Sequence, residues 1–453
     1  MNIIVAGCGS VGYSIAKVLR EEGHDITLID QRKEALETAC TDLDVLGVVG
    51  HAGSYNIQQE AGIENCDMFV AVTNVDELNL LCCVMAKKGR NINTIARVRN
   101  PIYKKEEEHI KDAIGLSMII NPEYTASKEI LRILRFPSAT KIDTFSRGKA
   151  EIVQYPIPKN SPLVGLSMMD LGKKRLGDYL ICAIERKDDV IIPDGNVTIH
   201  SGDIIYVLAT PKYTSKFFYG IGAGIKPAKN VMLVGGSMIC HYLAKQLLEK
   251  GVGVSIIESK YDRCMELSTL LPKANVICGD ATEQNLLEEE GLLEHEAMVT
   301  LTGIDEENIM LSMYAQNIPT IKKVVTKVKR STFDSIICEL PIGSIINPKL
   351  LTSYSIIRYV RSLQNPLGSA VETFSRIIDG KVEVLEFHVG ENCAVTNIPL
   401  IDLKTKDHLL ISCINRKGKI IIPKGNDVLL PNDHVIVITQ IHGLKDLNDI
   451  LVR

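Results

Sequence analysis

The 453-residue chain has no tryptophan, no Cys-x-x-C motif and no apolar run long enough to cross a membrane. A membrane-spanning helix needs roughly 18 or more apolar residues in a row, so the last absence argues against an integral membrane protein. Without a Cys/His cluster we expect no metal site, and the twelve scattered cysteines are typical of small core residues in a reducing cytosol. The chain begins directly with a strand-like segment, so we expect no signal peptide and a cytoplasmic location.

The chain also lacks an excess of positive charge. It contains 51 Lys and Arg against 55 Asp and Glu, which gives a formal net charge of -4. Proteins that bind nucleic acids normally carry a basic surface that neutralises phosphates. The charge balance therefore argues against a nucleic-acid partner.

What the sequence does contain is a glycine-rich turn near its start. A strand-like run leads into the motif Gly7-Cys8-Gly9-Ser10-Val11-Gly12, and a helical stretch follows it. Asp30 ends the next strand-like run, 18 residues after Gly12. The order of strand, G-x-G-x-x-G turn, helix and terminal acid is typical of a dinucleotide-binding βαβ unit.

The chemistry of such a turn assigns a role to each residue. Gly7 permits the tight turn, Gly9 lets backbone N–H groups approach a pyrophosphate, and Gly12 lets the helix pack close to the strand. The phosphates would lie on the amides of residues 9–11, at the positive end of the helix dipole. Asp30 can accept hydrogen bonds from ribose hydroxyls and repels a 2′-phosphate, which favours NAD(H) or an adenosine nucleotide over NADP(H). The alternative is a fold that keeps its glycine turn for packing alone.

A second copy of the turn lies in the other half of the chain and is altered. The motif is Gly235-Gly236-Ser237-Met238-Ile239-Cys240, and Glu258 stands where the first copy has its acid. Side chains at Ser237 and Cys240 narrow the space that glycine, without a Cβ, leaves over the turn. We expect this half to keep the fold and to bind nucleotide weakly, differently or not at all.

The two halves also match beyond the turns, and these matches supply further candidates. Thr73 and Asn74 follow a strand-like run and match Thr302 and Gly303, at the sheet edge where ligands of such folds bind. A Thr-Asn pair alone is more often a simple turn. Arg97, matched by Lys327, either reaches a phosphate or forms a surface salt bridge. The acidic pairs Asp76-Glu77 and Asp305-Glu306 are interpreted as solvated charges at helix starts, not as metal ligands.

Strand-like runs alternate with helical stretches in each copy, which predicts an α/β protein with two Rossmann-like, doubly wound parallel sheets. Each is followed by a smaller strand-rich unit that is also duplicated, in which Arg186 and Arg416 precede a Pro-x-Gly hairpin segment. A glycine-rich linker, residues 219–227, separates the halves. The predicted domains are 1–122 and 229–347 for the Rossmann units, and 140–222 and 370–453 for the small α+β units.

An amphipathic helix follows the Asn-Pro dipeptide at the end of each Rossmann unit. In the first half Ile130, Leu131 and Leu134 share one face, and Ile356 and Val360 do so in the second. Two interpretations stay open. The helix packs on its own domain, or it is a crossover or dimerisation helix that hands the chain to the next domain.

The combination of these motifs resembles the TrkA family, the nucleotide-binding subunits of Trk-type potassium uptake systems, which contain tandem RCK domains. The resemblance covers almost the whole chain and implies RCK-N Rossmann domains that bind NAD(H) and the adenine nucleotides ATP or ADP. It also implies homo-oligomers, dimers or tetramers that form a gating ring, attached to the inner face of the membrane through a transmembrane potassium-conducting subunit. The binding residues that it implies are Gly7, Cys8, Gly9, Ser10, Val11, Asp30, Thr73, Asn74 and Arg97 in the first unit, and Gly235, Gly236, Ser237, Met238, Ile239, Glu258 and Thr302 in the second.

Two other functions are considered. An NAD-dependent oxidoreductase needs a proton-transfer group near the nicotinamide, and the small units offer no recurring His or Lys constellation. His51, His241 and His408 are interpreted as surface or turn residues. A regulator of another cation channel or antiporter stays open, because RCK-type units serve several transporters. We therefore expect a regulatory protein with no enzymatic activity.

Overall fold

A computed structural model describes residues 1–135, 141–174, 176–187, 189–223, 227–329, 337, 340–364, 371–378, 380–391 and 393–452. Part of the predicted linker, residues 224–226, lies outside these ranges. Among the described residues, no helix combines the length and apolar character needed to cross a bilayer.

The first Rossmann unit is built on a six-stranded parallel sheet with the strand order β3-β2-β1-β4-β5-β6. Its strands are β1 (Asn2–Ala6), β2 (Asp25–Asp30), β3 (Leu46–Val49), β4 (Met68–Ala71), β5 (Asn93–Arg97) and β6 (Met118–Ile120). Its helices are α1 (Ser10–Glu21), α2 (Lys33–Leu43), α3 (Tyr55–Glu60), α4 (Asp76–Lys87), α5 (Pro101–Lys105) and α6 (Glu107–Ile114), and α7 (Pro122–Arg135) leaves the unit.

The first small unit is an antiparallel sheet of order β10-β9-β11-β8-β7. Its elements are β7 (Lys141–Phe145), β8 (Ala150–Pro156), α8 (Met168–Lys173), β9 (Tyr179–Arg186), β10 (Asp189–Ile191), β11 (Ile204–Ala209) and α9 (Pro211–Gly220). Arg186 forms an ion pair with the buried carboxylate of Asp203, at 2.8 Å, which fixes the β9–β11 end of the sheet.

The second half repeats both units. Its Rossmann unit contains β12 (Asn230–Val234), α10 (Met238–Glu249), β13 (Gly253–Glu258), α11 (Tyr261–Leu270), β14 (Asn275–Cys278), α12 (Gln284–Glu289), β15 (Ala297–Thr300), α13 (Asp305–Gln316), β16 (Lys323–Lys327) and β17 (Ser344–Ile346), and α14 (Pro348–Gln364) leaves it. Its small unit contains β18 (Val371–Ile377), β19 (Val382–His388), β20 (Leu409–Arg416), β21 (Lys419–Ile421) and β22 (His434–Thr439). The order of the second parallel sheet is β14-β13-β12-β15-β16-β17, and that of the second antiparallel sheet is β21-β20-β22-β19-β18. Both orders reproduce those of the first half. The predicted fold class is confirmed.

The helix that leaves each Rossmann unit packs on the Rossmann unit of the other half. Ala126, Ile130 and Ile133 of α7 share a buried cluster with Leu243 and Leu247 of α10. Burial of such aliphatic side chains stabilises a packed pair by about 1.5–3 kcal/mol for each side chain. This resolves the two interpretations in favour of a crossover between halves.

The reciprocal contact joins α14 to α1. Ile356 and Val360 share a buried cluster with Ile15 and Leu19 of α1, and the Arg361 guanidinium forms a bidentate ion pair with Glu22 at 2.7–2.9 Å. Both helices that begin at the glycine turns, α1 and α10, are therefore held by the opposite half. The small units also meet, where the Ser146 hydroxyl donates to the buried Glu386 carboxylate at 2.5 Å.

Candidate nucleotide sites

The glycine turn of the first unit lies where the strand order reverses, between β1 and β4. Gly7 has a φ of 105°, a conformation that favours glycine, and its amide donates to the carbonyl of Ile29 at 2.7 Å. A Cβ on Gly7 would lie 2.9 Å from the backbone nitrogen of Thr73. The turn after β1 and the loop after β4 therefore touch, at the place where open α/β sheets bind their ligands.

Gly9 and Gly12 differ in what surrounds them. A Cβ on Gly9 would meet no atom within 4 Å, whereas one on Gly12 would lie 1.8 Å from the carbonyl oxygen of Gly7. Gly9 is also the N-cap of α1, and no side chain caps this helix end. The exposed Ser10 and the buried Val11 continue the first turn. The N-terminus of α1 thus faces open space, and the position of Gly12 agrees with its predicted packing role.

Asp30 lies across the turn from this helix end. Its Oδ2 accepts from the amide of Cys8 at 2.6 Å, and its Oδ1 accepts from the amide of Arg32 at 2.9 Å. Burial alone would raise the pKa of Asp30, but the hydrogen bonds from Arg32 and Cys8 outweigh it and lower the pKa below its usual value. The carboxylate is therefore ionised at neutral pH.

Arg32 is a residue of this site that the sequence analysis missed. Its guanidinium contacts both oxygens of Asp30, at 3.1 and 3.2 Å, while 63% of its side-chain area stays exposed. Its position two residues after the acid was the available signal. The Arg32 side chain covers Asp30 from the solvent side, and its Nη2 also donates to the Cys8 carbonyl at 3.4 Å.

Asn79 connects the loop after β4 to the end of β5. Its fully buried Oδ1 accepts from the amide and the hydroxyl of Thr73, both at 2.7 Å, and its Nδ2 donates to the carbonyls of Thr73 and Arg97 at 3.2 and 2.9 Å. The sequence comparison showed Asn79 only as part of a repeated motif. In the structure it positions Thr73 beside the glycine turn.

Of the two interpretations of Arg97 made from the sequence, the salt bridge is present, but it does not lie at the surface. Arg97 is buried, and its Nη2 donates to the Glu123 carboxylate at 2.9 Å, in the first turn of α7. It therefore ties β5 to the crossover helix instead of lying on the surface. Asn74, by contrast, is exposed, and its carbonyl accepts from the Arg99 guanidinium.

The two acidic pairs begin helices as predicted, and Glu77 and Glu306 are exposed, but the interpretation was wrong for their aspartates. Asp76 and Asp305 are buried, not solvated, and Asp76 Oδ2 accepts from the amides of Arg99 and Asn100, both at 2.8 Å. These carboxylates fix the chain after β5 and β16, because a buried carboxylate is stable only when hydrogen-bonded. His241 is not a surface or turn residue either, since it lies in α10 with 7% of its area exposed.

The second glycine turn keeps the backbone geometry and loses the open space. Gly235 has a φ of 97°, and the amide of Gly236 donates to Glu258 Oε2 at 2.6 Å, as Cys8 does to Asp30. Ser237, however, caps α10, because its hydroxyl accepts from the amide of Cys240 at 3.4 Å. A side-chain oxygen thus satisfies the helix end that stays uncapped in the first unit.

The remaining candidates of the second unit follow the same pattern. Met238 and Ile239 form the start of α10, and Cys240 is fully buried where the first unit has Gly12. The amide of Thr302 donates to the Oδ1 of Asn308 at 2.9 Å, so Asn308 positions this loop as Asn79 does in the first unit. In the described parts of the chain, no group of three or more His, Cys, Asp or Glu side chains is arranged to hold a metal ion.

Lys327 lies next to the second turn. Its Nζ donates to the carbonyl of Leu301 at 2.7 Å, and the Leu301 backbone is also what a Cβ on Gly235 would meet. Burial lowers the pKa of Lys327 from 10.5 to about 8. The folded protein therefore holds this proton less tightly than the unfolded chain does.

This difference predicts a pH dependence of stability. Between pH 8 and 10.5 the unfolded chain binds more protons at Lys327 than the folded protein, so the free energy of unfolding should rise with pH in that window. Relative to Lys327→Met, the wild type should gain on the order of 3 kcal/mol across it. Hydrogen exchange over the second Rossmann unit measures the difference, and the exposed Lys273→Met is the control. A constant difference between wild type and Lys327→Met would contradict the prediction.

Comparison with known proteins agrees with this arrangement over the whole chain. A family model described as the TrkA-N domain matches residues 3–122 and 231–348, and one described as the TrkA-C domain matches residues 152–218 and 384–452. The Trk system potassium uptake protein TrkA of Vibrio alginolyticus is 31% identical, over 96% of this chain and 95% of its own length. TrkA homolog 1 of Methanosarcina mazei is 30% identical over 99% of both chains.

Solved structures show the same fold. A GsuK channel bound to NAD superimposes with a TM-score of 0.64 at 14% identity, over 97% of this chain and 76% of that chain. The GsuK RCK domain gives the same TM-score and identity, over 96% of this chain and 92% of that chain. The relatives are named as potassium uptake proteins and channel domains, not as enzymes. The family predicted from the sequence is confirmed, and the chain belongs to the TrkA family.

Proposed function

We propose that this protein is the nucleotide-binding regulatory subunit of a Trk-type potassium uptake system. In this proposal it controls a membrane potassium-conducting subunit in response to NAD(H) and to ATP or ADP. The observation that carries the proposal is the uncapped N-terminus of α1, which faces open space at Gly9 with the ionised Asp30 across the turn. Such a helix end binds phosphate through its free amides and its dipole.

The residues present fit a dinucleotide. The amides of Gly9, Ser10 and Val11 would hold the pyrophosphate, and Asp30 would accept from the ribose hydroxyls. Because Arg32 already donates to both carboxylate oxygens, the ribose would take the place of this exposed side chain. Thr73 lines the same crevice through its contact with the turn.

We propose that the first unit is the stronger site. In the second unit Ser237 already satisfies an amide of the helix end that a phosphate would need. Support for the ligand class comes from the GsuK channel, which has been solved bound to NAD and, in another structure, bound to ADP. The first of these superimposes over 97% of this chain.

The proposed partner is the transmembrane subunit of a Trk-type system, with this protein as a homo-oligomer, a dimer or tetramer, on the cytoplasmic face of the membrane. A nucleotide shifts a two-state assembly only by its differential affinity for the two states. NAD(H) and ATP or ADP would therefore favour different arrangements of the Rossmann units. The helices α7 and α14 join the two units, so a shift at one glycine turn is transmitted to the other half.

Titration of the full chain with NADH tests the ligand. Asp30→Asn keeps an acceptor for the Cys8 amide and removes the charge, so NADH affinity should fall roughly tenfold, which is about 1.4 kcal/mol. The matched variant Glu258→Gln in the second unit should change affinity less. Equal losses in the two variants would contradict the ranking of the sites, and no NADH binding by the wild type would contradict the proposal.

Potassium flux tests the partner. The protein is reconstituted with a Trk-type membrane subunit in vesicles, and flux is measured with NADH, NAD, ATP or ADP present. We expect at least two of these nucleotides to give different fluxes. Flux that is indifferent to all of them would contradict the gating role, and co-purification with another cation channel or antiporter would move the proposal to that partner.

A further inference from the structure

Two cysteines of the second Rossmann unit lie beside its glycine turn. Cys264 is in the first turn of α11 and is 5% exposed, and Cys278 ends β14 and is exposed. The Cys264 Sγ lies 3.2 Å from the carbonyl oxygen of Glu258 and 4.0 Å from that of Ile277. The Cys264 thiol is therefore next to the backbone that carries Cys278.

The alternation of side chains along β14 brings the two thiols to the same face. Cys278 and Val276 point to the same side of the sheet, and Val276 packs in the cluster that contains Leu267. Leu267 follows Cys264 by three residues on α11, so it lies on the same face of that helix. The Cys278 thiol is also close enough to Cys264 to raise the pKa of the Cys264 thiol.

The first unit has no thiols at these positions. Val49 pairs with Asp30 in the sheet as Cys278 pairs with Glu258, and Leu36 follows Asp30 by six residues as Cys264 follows Glu258. The two apolar side chains show that the fold does not need cysteine here. The dithiol is thus a feature of the second unit alone.

We propose that Cys264 and Cys278 are a modification site, a dithiol that peroxides oxidise to a disulfide. In the first step the exposed Cys278 thiol attacks hydrogen peroxide, which gives a sulfenic acid and one water. In the second step the Cys264 sulfur attacks the Cys278 sulfur, the S–S bond forms, and the hydroxyl leaves with the Cys264 proton as a second water. The two thiols lose two electrons and two protons, and the peroxide is reduced to water.

The order of the steps follows from exposure and acidity. Burial, with the neighbouring Cys278 thiol, raises the pKa of Cys264 to about 11, so Cys264 stays protonated and shielded at neutral pH. Cys278 is the thiol that peroxide reaches. Since the Cys264 thiol donates to the carbonyl of Glu258, the disulfide also removes a hydrogen bond from the strand end that carries the ribose acid.

Peptide mapping of the full chain tests the proposal. The purified, reduced protein is treated with hydrogen peroxide, blocked with iodoacetamide and digested with trypsin without reductant. Cleavage after Arg263 and Lys273 places the cysteines on separate peptides, 264–273 and 274–322. We expect these peptides linked to each other within one chain, with a loss of two hydrogens, and separated by dithiothreitol.

Single variants separate the role of Cys278, which reacts with peroxide, from that of Cys264, which forms the disulfide. In Cys264→Ser, which should fold because Leu36 occupies this position in the first unit, Cys278 should stop at the sulfenic acid and react with dimedone. Cys40→Ser, which removes a half-buried thiol of the first unit, should leave the cross-link unchanged. Oxidation of wild-type Cys278 to sulfinic acid without the 264–278 cross-link, a cross-link between chains, or two thiols that survive the peroxide would each overturn the proposal.

Discussion

Replacing Gly12 with alanine should destabilise the first Rossmann unit, whereas the same change at Gly9 should leave it folded. The new methyl at position 12 would lie 1.8 Å from the Gly7 carbonyl oxygen and 3.0 Å from its carbon. Because backbone cannot yield as a flexible side chain can, we expect a loss at the upper end of the usual overpacking range, about 3 kcal/mol. Hydrogen exchange of peptides from β1 and α1 measures this loss.

Gly9→Ala is the matched control for packing and a test of binding. Its methyl would meet no atom within 4 Å, and the φ of -78° suits alanine, so stability should change by less than about 1 kcal/mol. The methyl would occupy the space through which a phosphate approaches the helix amides, so NADH affinity should fall roughly tenfold. Equal stability losses at Gly9 and Gly12 would contradict the packing argument, and unchanged affinity in Gly9→Ala would contradict the phosphate site.

Removing the Asn79 side chain should be the second large effect. Asn79→Ala leaves the half-buried Thr73 amide and the buried Arg97 carbonyl without the partner that the fully buried Asn79 side chain provides. An unsatisfied buried group costs about 1–3 kcal/mol, so we expect a loss near 3 kcal/mol. Hydrogen exchange over the loop after β4 and over the end of β5 should report it.

The repeat supplies the control for function. Asn308→Ala removes the equivalent bonds to Thr302 and Lys327 and should destabilise the second unit by a similar amount. Only Asn79→Ala should weaken NADH binding at the first turn, because Asn79 holds Thr73 beside it. Asn74 is exposed, so Asn74→Ala should leave the stability of both units unchanged. Full NADH affinity in a folded Asn79→Ala variant would show that the loop does not line the site.

The parts of this molecule that the sequence predicted are those with a local signature. The turn at Gly7 needs a positive φ and Gly12 needs a side chain without a Cβ, so each requirement appears in the chain as a glycine at a fixed spacing. The fold class could be predicted for the same reason. The alternation of strand-like and helical segments is read from the periodicity of neighbouring residues. Repetition of the whole pattern then gave the duplicated architecture.

The parts that it missed join residues far apart in the chain. Arg97 pairs with Glu123 across two elements, and Asn79 joins two loops from inside a buried helix face. A lone Arg or Asn carries no mark of such a partner. Asp76 was interpreted as solvated because it begins a helix, and only the approach of the Arg99 backbone buries it.

The sequence by itself determined the family, the two glycine turns and the difference between them, since these depend on the identity and spacing of neighbouring residues. Tertiary structure alone decided which surface α7 and α14 cover, because an amphipathic helix specifies an apolar face but not the partner that buries it. Tertiary structure also determined which contacts the residues in and beside the altered second turn make. Ser237 caps α10 and Cys264 meets Cys278 only because packing brings their elements together.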